Sequence, residues 1–199
     1  MKLQDYKIIF VVVGLIGVLL IATPAFADAI RLPGGEQFSE LYLLGPDHSA
    51  ENYPSNIAAG QNYLVYVGVG NHLGSSAYYT LYVKFRNQTD DLPNSTSGTP
   101  SSLQPLYQYS FAVQDGAYQE NLLSFSVTNA TISANQSIVN VLTINGVQFN
   151  INKPSAWDTD STTFTYSLAF ELWLYNSTTN AFQYNNRFVD LLLNLTSTA

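Results

Sequence analysis

The chain has 199 residues, of which 46% are hydrophobic and 14% aromatic, and it carries a formal net charge of −7. This length has room for one soluble domain with a packed core, and the negative charge excludes nucleic acid as a partner. The absence of cysteine excludes disulfides, thiolate metal sites and a cysteine nucleophile. Because only 11% of the residues are charged, neutral polar side chains must form most of the surface.

The N-terminal segment predicts insertion into a lipid bilayer. Lys2 and Lys7 precede an unbroken apolar run over residues 8–22, and the apolar character continues to Ala27. Positive charge on the N-terminal flank places the N-terminus in the cytoplasm and the rest of the chain outside the cell. The residues predicted to form the membrane anchor are Ile8, Phe10, Val12, Leu15, Leu19 and Ile21.

The sequence leaves the fate of this segment open. Residues 8–27 reach the roughly 20 residues that span a bilayer, which favours a retained signal anchor. The core run also has signal-peptide length, and Ala25 and Ala27 form the A-x-A pattern typical of a cleavage site. Either outcome divides the chain into residues 1–27, an anchor or a removed signal peptide, and residues 28–199, an extracytoplasmic domain.

Beyond Pro33-Gly34-Gly35 the sequence is typical of β-strands. Short runs alternate apolar and polar residues, and clusters of Gly, Pro, Asn, Asp and Ser separate them. The runs 63–69 and 79–85 are expected to pair or to lie side by side. Asn145-Gly146 tolerates positive φ angles and predicts a two-residue type I′ hairpin turn. The remaining alternating runs lie within residues 107–113, 123–127, 138–151, 164–174 and 189–195.

We therefore expect about eight or nine strands and no amphipathic helix of ordinary length after the N-terminal segment. The segment from Asn87 to Gln104 is predicted to be a long polar loop between two strands of the sheet. This succession favours an all-β fold, an Ig-like two-layer antiparallel β-sandwich, over an α/β enzyme scaffold.

Three stretches of the sequence carry a family resemblance. They are Pro33-Gly34-Gly35-Glu36-Gln37-Phe38-Ser39-Glu40-Leu41-Tyr42-Leu43-Leu44-Gly45-Pro46, Ala50-Glu51-Asn52-Tyr53-Pro54 and Val67-Gly68-Val69-Gly70-Asn71-His72. Together they resemble an archaeal membrane-anchored family called domain of unknown function 1616. The resemblance departs at Leu73, where family members commonly place an acidic residue. It implies an archaeal envelope and a retained anchor, and it implies no activity.

Residues suited to catalysis or metal binding are sparse. His48 and His72 lie in predicted turns, and neither has a second ligand at metal-binding spacing. The sequence has no G-x-S-x-G motif and no catalytic pattern of Ser, His and Asp or of paired carboxylates. Asp90-Asp91 and Asp158-Thr159-Asp160 lack the rest of a calcium loop and are typical of turn carboxylates. The sequence therefore predicts no enzyme, no cofactor and no metal site.

The motif N-x-[ST] predicts N-linked glycans, which would hydrate a surface poor in charge. Five of its occurrences fall in predicted turns or at strand ends, and the sixth lies opposite the leucines of its strand. All of these side chains are therefore expected to face solvent. They are Asn87, Asn94, Asn129, Asn135, Asn176 and Asn194.

Two classes of function follow, and a third is weaker. The first is a structural or interaction module of the archaeal envelope, anchored in the membrane and in contact with other envelope or membrane proteins or with itself. The alternative is a secreted filament or coat subunit, which is cleaved after Ala27 and donates Asp28–Leu44 as a strand to a neighbour's open sheet edge. The third is a sugar or small-ligand pocket rimmed with Tyr and Trp. Trp157 and Trp173 are its candidates, although Trp173 lies in a dense apolar strand that favours simple packing.

Overall fold

The computed structural model of the protein describes residues 6–7, 11–18, 36–159 and 162–196. The chain divides into two compact units, Met1–Gln37 and Phe38–Ala199. An α-helix covers residues 11–18 in the first unit. Among the residues described, no helix has the length and apolar character needed to cross a membrane.

Most of the predicted anchor and the whole predicted cleavage site lie outside the described residues. Val12 and Leu15 belong to the helix over residues 11–18, where their side chains are 49% and 60% exposed. The anchor and the cleavage site therefore stay predictions. The predicted residues that fall outside the described ranges are Ile8, Phe10, Leu19, Ile21, Ala25 and Ala27.

The second unit is all-β, as the alternating sequence predicts. Side chains two residues apart in a strand share a face, so each alternating run presents one apolar face to a core. The described part of this unit contains ten strands, whereas the sequence predicted about eight or nine. They are β1 Phe38–Leu44, β2 Asn56–Ala58, β3 Tyr63–His72, β4 Ala77–Asn87, β5 Tyr107–Val113, β6 Tyr118–Ile132, β7 Gln136–Ile144, β8 Val147–Asp158, β9 Thr163–Asn176 and β10 Ala181–Thr196.

The strands form one curled sheet in the order β1-β3-β6-β7-β8-β9-β10-β2, with β4 paired to β9 and β5 paired to β4. All of these pairs are antiparallel except β2 with β10, which is parallel. Strand β8 follows β7 for most of its length and pairs with β9 only at Trp157 and Asp158. It therefore links a first half-sheet (β1, β3, β6, β7 and β8) to a second half-sheet (β9, β10, β4, β5 and β2).

Both half-sheets contribute to one hydrophobic core. Val67 of β3 and Leu172 of β9 are both 0% exposed, and burying a side chain of this kind contributes about 1.5–3 kcal/mol. The hydroxyls of Ser137 in β7 and Tyr166 in β9 lie 2.8 Å apart inside the structure. The core therefore contains at least one polar link between the half-sheets in addition to its apolar packing.

The expected pairing of the runs 63–69 and 79–85 is wrong. Strand β3 pairs with β1 and β6, whereas β4 pairs with β5 and β9 in the other half-sheet. The connection over residues 73–76 passes between the half-sheets because buried Asn71 fixes it there. The Nδ2 atom of Asn71 donates to the carbonyl oxygens of Ser75 and Val113 at 2.8 and 2.9 Å.

The predicted hairpin at Asn145-Gly146 is confirmed. Ile144 faces Val147 across the turn, and the φ angles of Asn145 and Gly146 are 48° and 79°, as a type I′ turn requires. The Asn145 side chain also accepts a hydrogen bond from the backbone N–H of Ser124 at 2.8 Å. The turn is thus tied to the neighbouring strand β6.

The segment Asp28–Leu44, the donor strand of the filament alternative, is only partly described. Its last seven residues, Phe38–Leu44, form β1 and pair along their whole length with β3 of the same chain. Donation of this part to a neighbour would first require the loss of that pairing.

Candidate functional site

Residues from the stretches that carry the family resemblance meet on the outer face of β1, β3 and β6. In β1 the side chains of Ser39, Leu41 and Leu43 turn inward, so the alternate residues turn outward. The same alternation in β3 and β6 completes one surface, which we call the motif face. Its members are Phe38, Glu40, Tyr42 and His72 from these stretches, together with His48, Tyr66, Tyr118 and Glu120 from outside them.

Two glycines of β3 allow aromatic rings to lie flat on the sheet. Gly68 lies between Tyr42 of β1 and Glu120 of β6, and Gly70 lies between Glu40 and Tyr118. The Tyr42 ring occupies the space that a side chain at position 68 would fill. A Cβ at position 70 would lie 2.7 Å from Cε1 of Tyr118, which is too close for a packed carbon. The glycines therefore create the shallow surface on which the rings lie.

One half of the motif face centres on Glu120. Its Oε2 lies 3.1 Å from Nδ1 of His48, and its Oε1 accepts a hydrogen bond from the Tyr42 hydroxyl at 3.2 Å. The His48 ring lies 3.6 Å from the Tyr66 ring, centroid to centroid. Burial first, and then the hydrogen bond and charge of Glu120, raise the pKa of Tyr42 to about 12. Tyr42 is therefore a neutral hydrogen-bond donor at physiological pH.

The other half centres on His72 at the end of β3. Its Nε2 lies 3.4 Å from Oε1 of Glu40 and 3.3 Å from the Tyr118 hydroxyl. The Phe38 ring stacks on the imidazole at a centroid distance of 4.7 Å. His72 was expected in a turn, but it is the last residue of a strand, and this position orients its ring across the sheet.

Asn71 and His72, the Asn-His pair of the motif, have different roles. Asn71 is 0% exposed, and besides its donated bonds its Oδ1 accepts hydrogen bonds from the backbone N–H of Leu73 and the hydroxyl of Tyr79. Tyr79 in turn shares a hydrogen bond with Ser39 of β1 at 2.8 Å. Asn71 therefore stabilises the connection between the half-sheets, and only His72 belongs to the exposed surface.

The motif face lies in a part of the chain without basic side chains. Residues 36–76 and 105–152 contain six carboxylates and no Lys or Arg. The Glu40 and Glu120 side chains are 38% and 35% exposed, so their negative charge is accessible to a partner. Carboxylates beside aromatic rings suit recognition of a cationic group, through charge-assisted hydrogen bonds and cation–π contact.

The motif face lacks the arrangement that a metal centre needs. Across the described residues, no group of three or more His, Asp and Glu side chains is placed to hold a metal ion. Each histidine contacts a single carboxylate, and a tyrosine hydroxyl completes each cluster.

A buried ion pair in the second half-sheet was not predicted from the sequence. The Lys84 Nζ atom donates to Glu171 Oε2 at 2.8 Å, and to the carbonyl and hydroxyl oxygens of Ser101 at 3.0 and 3.2 Å. Glu171 Oε1 accepts from the backbone N–H and the hydroxyl of Ser101 at 3.1 and 2.7 Å. The Lys84 and Glu171 side chains are 4% and 0% exposed. The network therefore fastens the polar loop after β4 onto the sheet.

One signal for this network was present in the sequence. Glu171 is the single charge of the apolar strand β9, and Lys84 lies between two apolar residues of β4, so each of these charges needs a partner. Periodicity does not identify the partner, because the two residues are 87 positions apart in the chain.

The expectation that all six glycosylation motifs face solvent is wrong for Asn87. This residue ends β4 and is 8% exposed, and its Nδ2 donates to the carbonyl oxygen of Pro154 at 2.8 Å. Its Oδ1 accepts hydrogen bonds from the N–H groups of Thr89 and Asp90, both at 3.0 Å. Asn87 thus closes the start of the polar loop, and its amide nitrogen is committed to the fold.

The other five asparagines reach the surface to different extents. Asn94, Asn129 and Asn135 are exposed, whereas Asn176 and Asn194 are half-buried. Asn94 lies at the tip of the polar loop, where its Oδ1 accepts from the backbone N–H groups of two following residues at 2.9 and 3.0 Å. This bonding holds the carboxamide oxygen and turns the amide nitrogen toward solvent.

Among the predicted turn carboxylates, Asp90 has clear structural partners. Asp90 accepts a hydrogen bond from Lys153 Nζ at 2.7 Å and another from the backbone N–H of Asn87 at 3.0 Å. Asp158 is the last residue of β8, and Asp160 lies outside the described residues.

These observations define the class of protein as an all-β domain with an acidic, aromatic outer face on its first half-sheet. Residues 32–142 match a family model described as Domain of unknown function (DUF1616), which confirms the predicted family. The archaeal origin and the retained anchor that the resemblance implies stay predictions. Since the match covers more than half of the chain, the protein belongs to this family. No curated protein matches the sequence.

Solved structures offer only distant similarity. A beta-glucosidase from Listeria innocua in complex with glucose is 8% identical with a TM-score of 0.40, and the match covers 80% of this chain and 16% of that one. The sporulation control protein Spo0M from Bacillus subtilis is 10% identical with a TM-score of 0.36, and the match covers 82% of this chain and 51% of that one. This chain therefore spans a minor part of the glucosidase and about half of Spo0M, and neither similarity indicates a function.

Proposed function

We propose that the protein is a non-enzymatic interaction module of the archaeal cell envelope that contacts a basic segment of a protein partner through its motif face. The observation that carries this proposal is the convergence of the motif residues on one exposed, acidic and aromatic surface. A Lys or Arg side chain of the partner would pair with Glu40 or Glu120 and lie against the neighbouring rings.

In this proposal the N-terminal segment is a retained single-pass anchor, with the N-terminus in the cytoplasm and the domain outside the cell. The apolar run over residues 8–27 and the lysines before it support this orientation. N-linked glycans at the exposed motifs, Asn94, Asn129 and Asn135 first among them, would hydrate the charge-poor surface.

We also propose that the curled sheet is an Ig-like sandwich of two layers. The shared core and the hydrogen bonds that join β1 to β4 and β7 to β9 support this arrangement. In such a sandwich the motif face is the outer surface of one layer, where the rigid sheet holds its side chains in place.

Site-specific photo-crosslinking of the full-length protein in archaeal membranes tests the function. A photoreactive phenylalanine in place of Tyr118 is expected to crosslink one discrete partner from the membrane fraction. The matched control is the same probe in place of Gln148, an exposed residue of β8 outside the motif face. The variant E40Q/E120Q is expected to abolish the crosslink at position 118 without changing the urea unfolding midpoint.

The electrostatic part of the proposal has its own readout. Raising the salt concentration from about 0.1 to about 1 M shortens the Debye length from about 10 to about 3 Å and should weaken capture of a basic partner. Equal crosslinking at positions 118 and 148, or a crosslink that survives E40Q/E120Q, would contradict the proposed function.

A further inference from the structure

The outer face of the second half-sheet carries six aromatic side chains from three neighbouring strands. They alternate with the core residues of β4, β9 and β10, so all of them project from the same side of the sheet. We call this surface the aromatic strip. Its members are Tyr78, Tyr82, Trp173, Tyr175, Phe182 and Tyr184.

The strip is continuous across the three strands. Trp173 contacts Tyr82 on one side and Tyr184 on the other, at ring-centroid distances of 5.5 and 6.0 Å. Tyr175, two residues further along β9, lies 5.4 Å from Phe182 and 6.4 Å from Tyr78. Because Trp173 and Tyr175 share a face of one strand, the two groups of rings form one surface.

One cavity opens on the strip. It has a volume of about 300 Å³, and its lining includes Tyr82, Trp173, Ser102 and Gln104. A second cavity of about 310 Å³ lies on the same strands, and its lining includes Gln183. Gln183 pairs with Leu174, which packs against the core, so the Gln183 side chain projects from the face opposite the rings. The cavity beside Trp173 is therefore the one that belongs to the strip.

The charged group that lines these cavities is already paired within the protein. Lys84 is the one charged residue among the described residues that line them. Its side chain is 4% exposed, and its ammonium group donates hydrogen bonds to Glu171 and Ser101. A charged ligand would therefore find no counter-ion in either cavity, whereas amides and hydroxyls offer both donors and acceptors to a neutral one.

We propose that the aromatic strip binds a neutral oligosaccharide, with one sugar unit in the cavity beside Trp173 and the next units on the neighbouring rings. The C–H face of a sugar ring packs on aromatic rings, and its hydroxyls both donate and accept hydrogen bonds, which the Gln104 amide and the Ser102 hydroxyl satisfy. This site goes beyond the proposed protein interface, because it lies on the other half-sheet and takes a different class of ligand.

Trp157, the second tryptophan of the chain, does not belong to the aromatic strip. Trp157 packs on Phe164 at a centroid distance of 5.0 Å and lines a different cavity with Ile132 and Leu195. The carbohydrate platform predicted from the two tryptophans together therefore reduces to Trp173 and its tyrosine neighbours, and Trp157 becomes a matched control.

The saccharide has two possible sources, because Asn176 directly follows Tyr175 of the strip and begins a glycosylation motif. One source is the glycan attached to Asn176 itself, and the other is a saccharide of the surroundings. The substitution Thr178→Val removes the glycosylation motif and leaves the Asn176 side chain in place. This variant therefore distinguishes the two sources without altering the cavity lining.

Calorimetric titration of the full-length protein tests the proposal. The protein is produced in a bacterial host without N-glycosylation and kept in a detergent that has no sugar headgroup, so the strip is free. The neutral probes are maltohexaose, mannohexaose and chitohexaose, and the acidic control is hexagalacturonate. We expect saturable binding of at least one neutral probe with a Kd of about 0.1–1 mM, and no binding of the acidic one.

Three variants locate the binding. Trp173→Ala is expected to weaken binding at least about tenfold, and Gln104→Ala several-fold, whereas Trp157→Ala leaves the affinity unchanged. Gln104 is exposed and lines the cavity beside Trp173, so Gln104→Ala remains informative if Trp173→Ala fails to fold. Protein from the archaeal host then identifies the source. If protein from this host binds the probe only after Thr178→Val, the site is occupied by the protein's own glycan. If the wild-type protein from this host also binds the probe, the site takes an external saccharide.

Several results would overturn the proposal. No saturable binding of any neutral probe at about 10 mM would reject it, since a weak site saturates at that concentration. Binding that persists in both Trp173→Ala and Gln104→Ala, or that favours hexagalacturonate, would also reject it. None of these results bears on the crosslink at position 118, so failure here is distinguishable from failure of the proposed protein interface.

Discussion

Glu171→Gln is expected to destabilise the fold by about 3–5 kcal/mol, because it leaves a buried ammonium group without its counter-ion. Lys84 Nζ and the Glu171 carboxylate are 2.8 Å apart, with side chains 4% and 0% exposed. Glutamine has the same shape and keeps one carbonyl oxygen for Ser101. The loss therefore measures the missing charge rather than a missing volume.

The size of this effect is set by the absence of solvent around the pair. Water cannot replace the lost carboxylate in a site that is almost fully covered, and the remaining acceptors of Lys84 are the two oxygens of Ser101. Domains typically unfold with a free energy of about 5–15 kcal/mol, so the variant is expected to lose a large part of its stability. The polar loop that Ser101 fixes to the sheet should loosen at the same time.

Urea unfolding at 25 °C, followed by tryptophan fluorescence and far-UV circular dichroism, gives the free energies. The matched control is Lys153→Met, which breaks a pair with Asp90 whose side chains are 20% and 23% exposed. This more accessible pair should contribute only about 1 kcal/mol. The double variant K84M/E171L should be more stable than Glu171→Gln, because neither charge is left buried.

Two results would refute this reasoning. A loss below about 1 kcal/mol for Glu171→Gln would show that the pair is solvated in solution. If K84M/E171L is less stable than Glu171→Gln, then packing of the loop, and not the unpaired charge, determines the loss of stability.

Three further predictions concern single groups. Glu120→Gln should lower the pKa of Tyr42 from about 12 but leave it above 10.0, since burial is the larger cause; ultraviolet difference titration of the variant against the wild type measures this change. Burial alone raises the pKa of Asp90, but the hydrogen bond and charge of its lysine partner, together with the backbone hydrogen bond from Asn87, hold it below 3.8. Asp90 therefore contributes stability above pH 3.8 that is lost as the pH falls through its folded-state pKa. At pH 7, Asp90→Asn should be about 1–2 kcal/mol less stable than wild type. Urea unfolding midpoints measured over a pH series should show this difference closing only below pH 3.8. Asn87→Gln should cost about 1–3 kcal/mol in urea unfolding without changing the intact mass of the glycans, whereas Asn94→Gln should remove one glycan mass and leave stability unchanged.

The strands were predictable because their signals are local. Val65, Val67 and Val69 alternate with smaller or polar residues, and all three are fully buried in β3. Asn145-Gly146 specifies its hairpin through the φ angles that these two residues tolerate. Strand existence and hairpin geometry depend on neighbouring residues, so the sequence contains enough information for both.

The pairing of distant strands was not predictable in the same way. Strands β3 and β4 are joined by a short connection that resembles a hairpin loop, yet buried Asn71 directs the chain across the core. Burial of Asn87 was missed for a related reason. Its turn-forming sequence suggested exposure, but it continues the inward-facing alternation of Val83 and Phe85.

The candidate sites show the same difference between local signals and long-range strand pairing. The motif stretches were visible in the sequence, but Tyr118 and Glu120 lie outside them and reach the motif face only because β6 pairs with β3. The aromatic strip combines residues from β4, β9 and β10, so it exists only after long-range pairing. Composition had indicated abundant tyrosine, but it could not indicate that six rings share one face.

The distribution of charge separates the two proposed binding surfaces. Three of the basic residues in the described domain form ion pairs in or beside the second half-sheet: Lys84 with Glu171, Arg86 with Asp190 and Lys153 with Asp90. The segments that build the motif face have carboxylates and no Lys or Arg to neutralise them. Salt screens exposed charges strongly and hardly affects stacking of a neutral sugar on aromatic rings. High salt should therefore release a partner from the motif face and leave a saccharide bound to the aromatic strip, because only the first interaction depends on uncompensated charge.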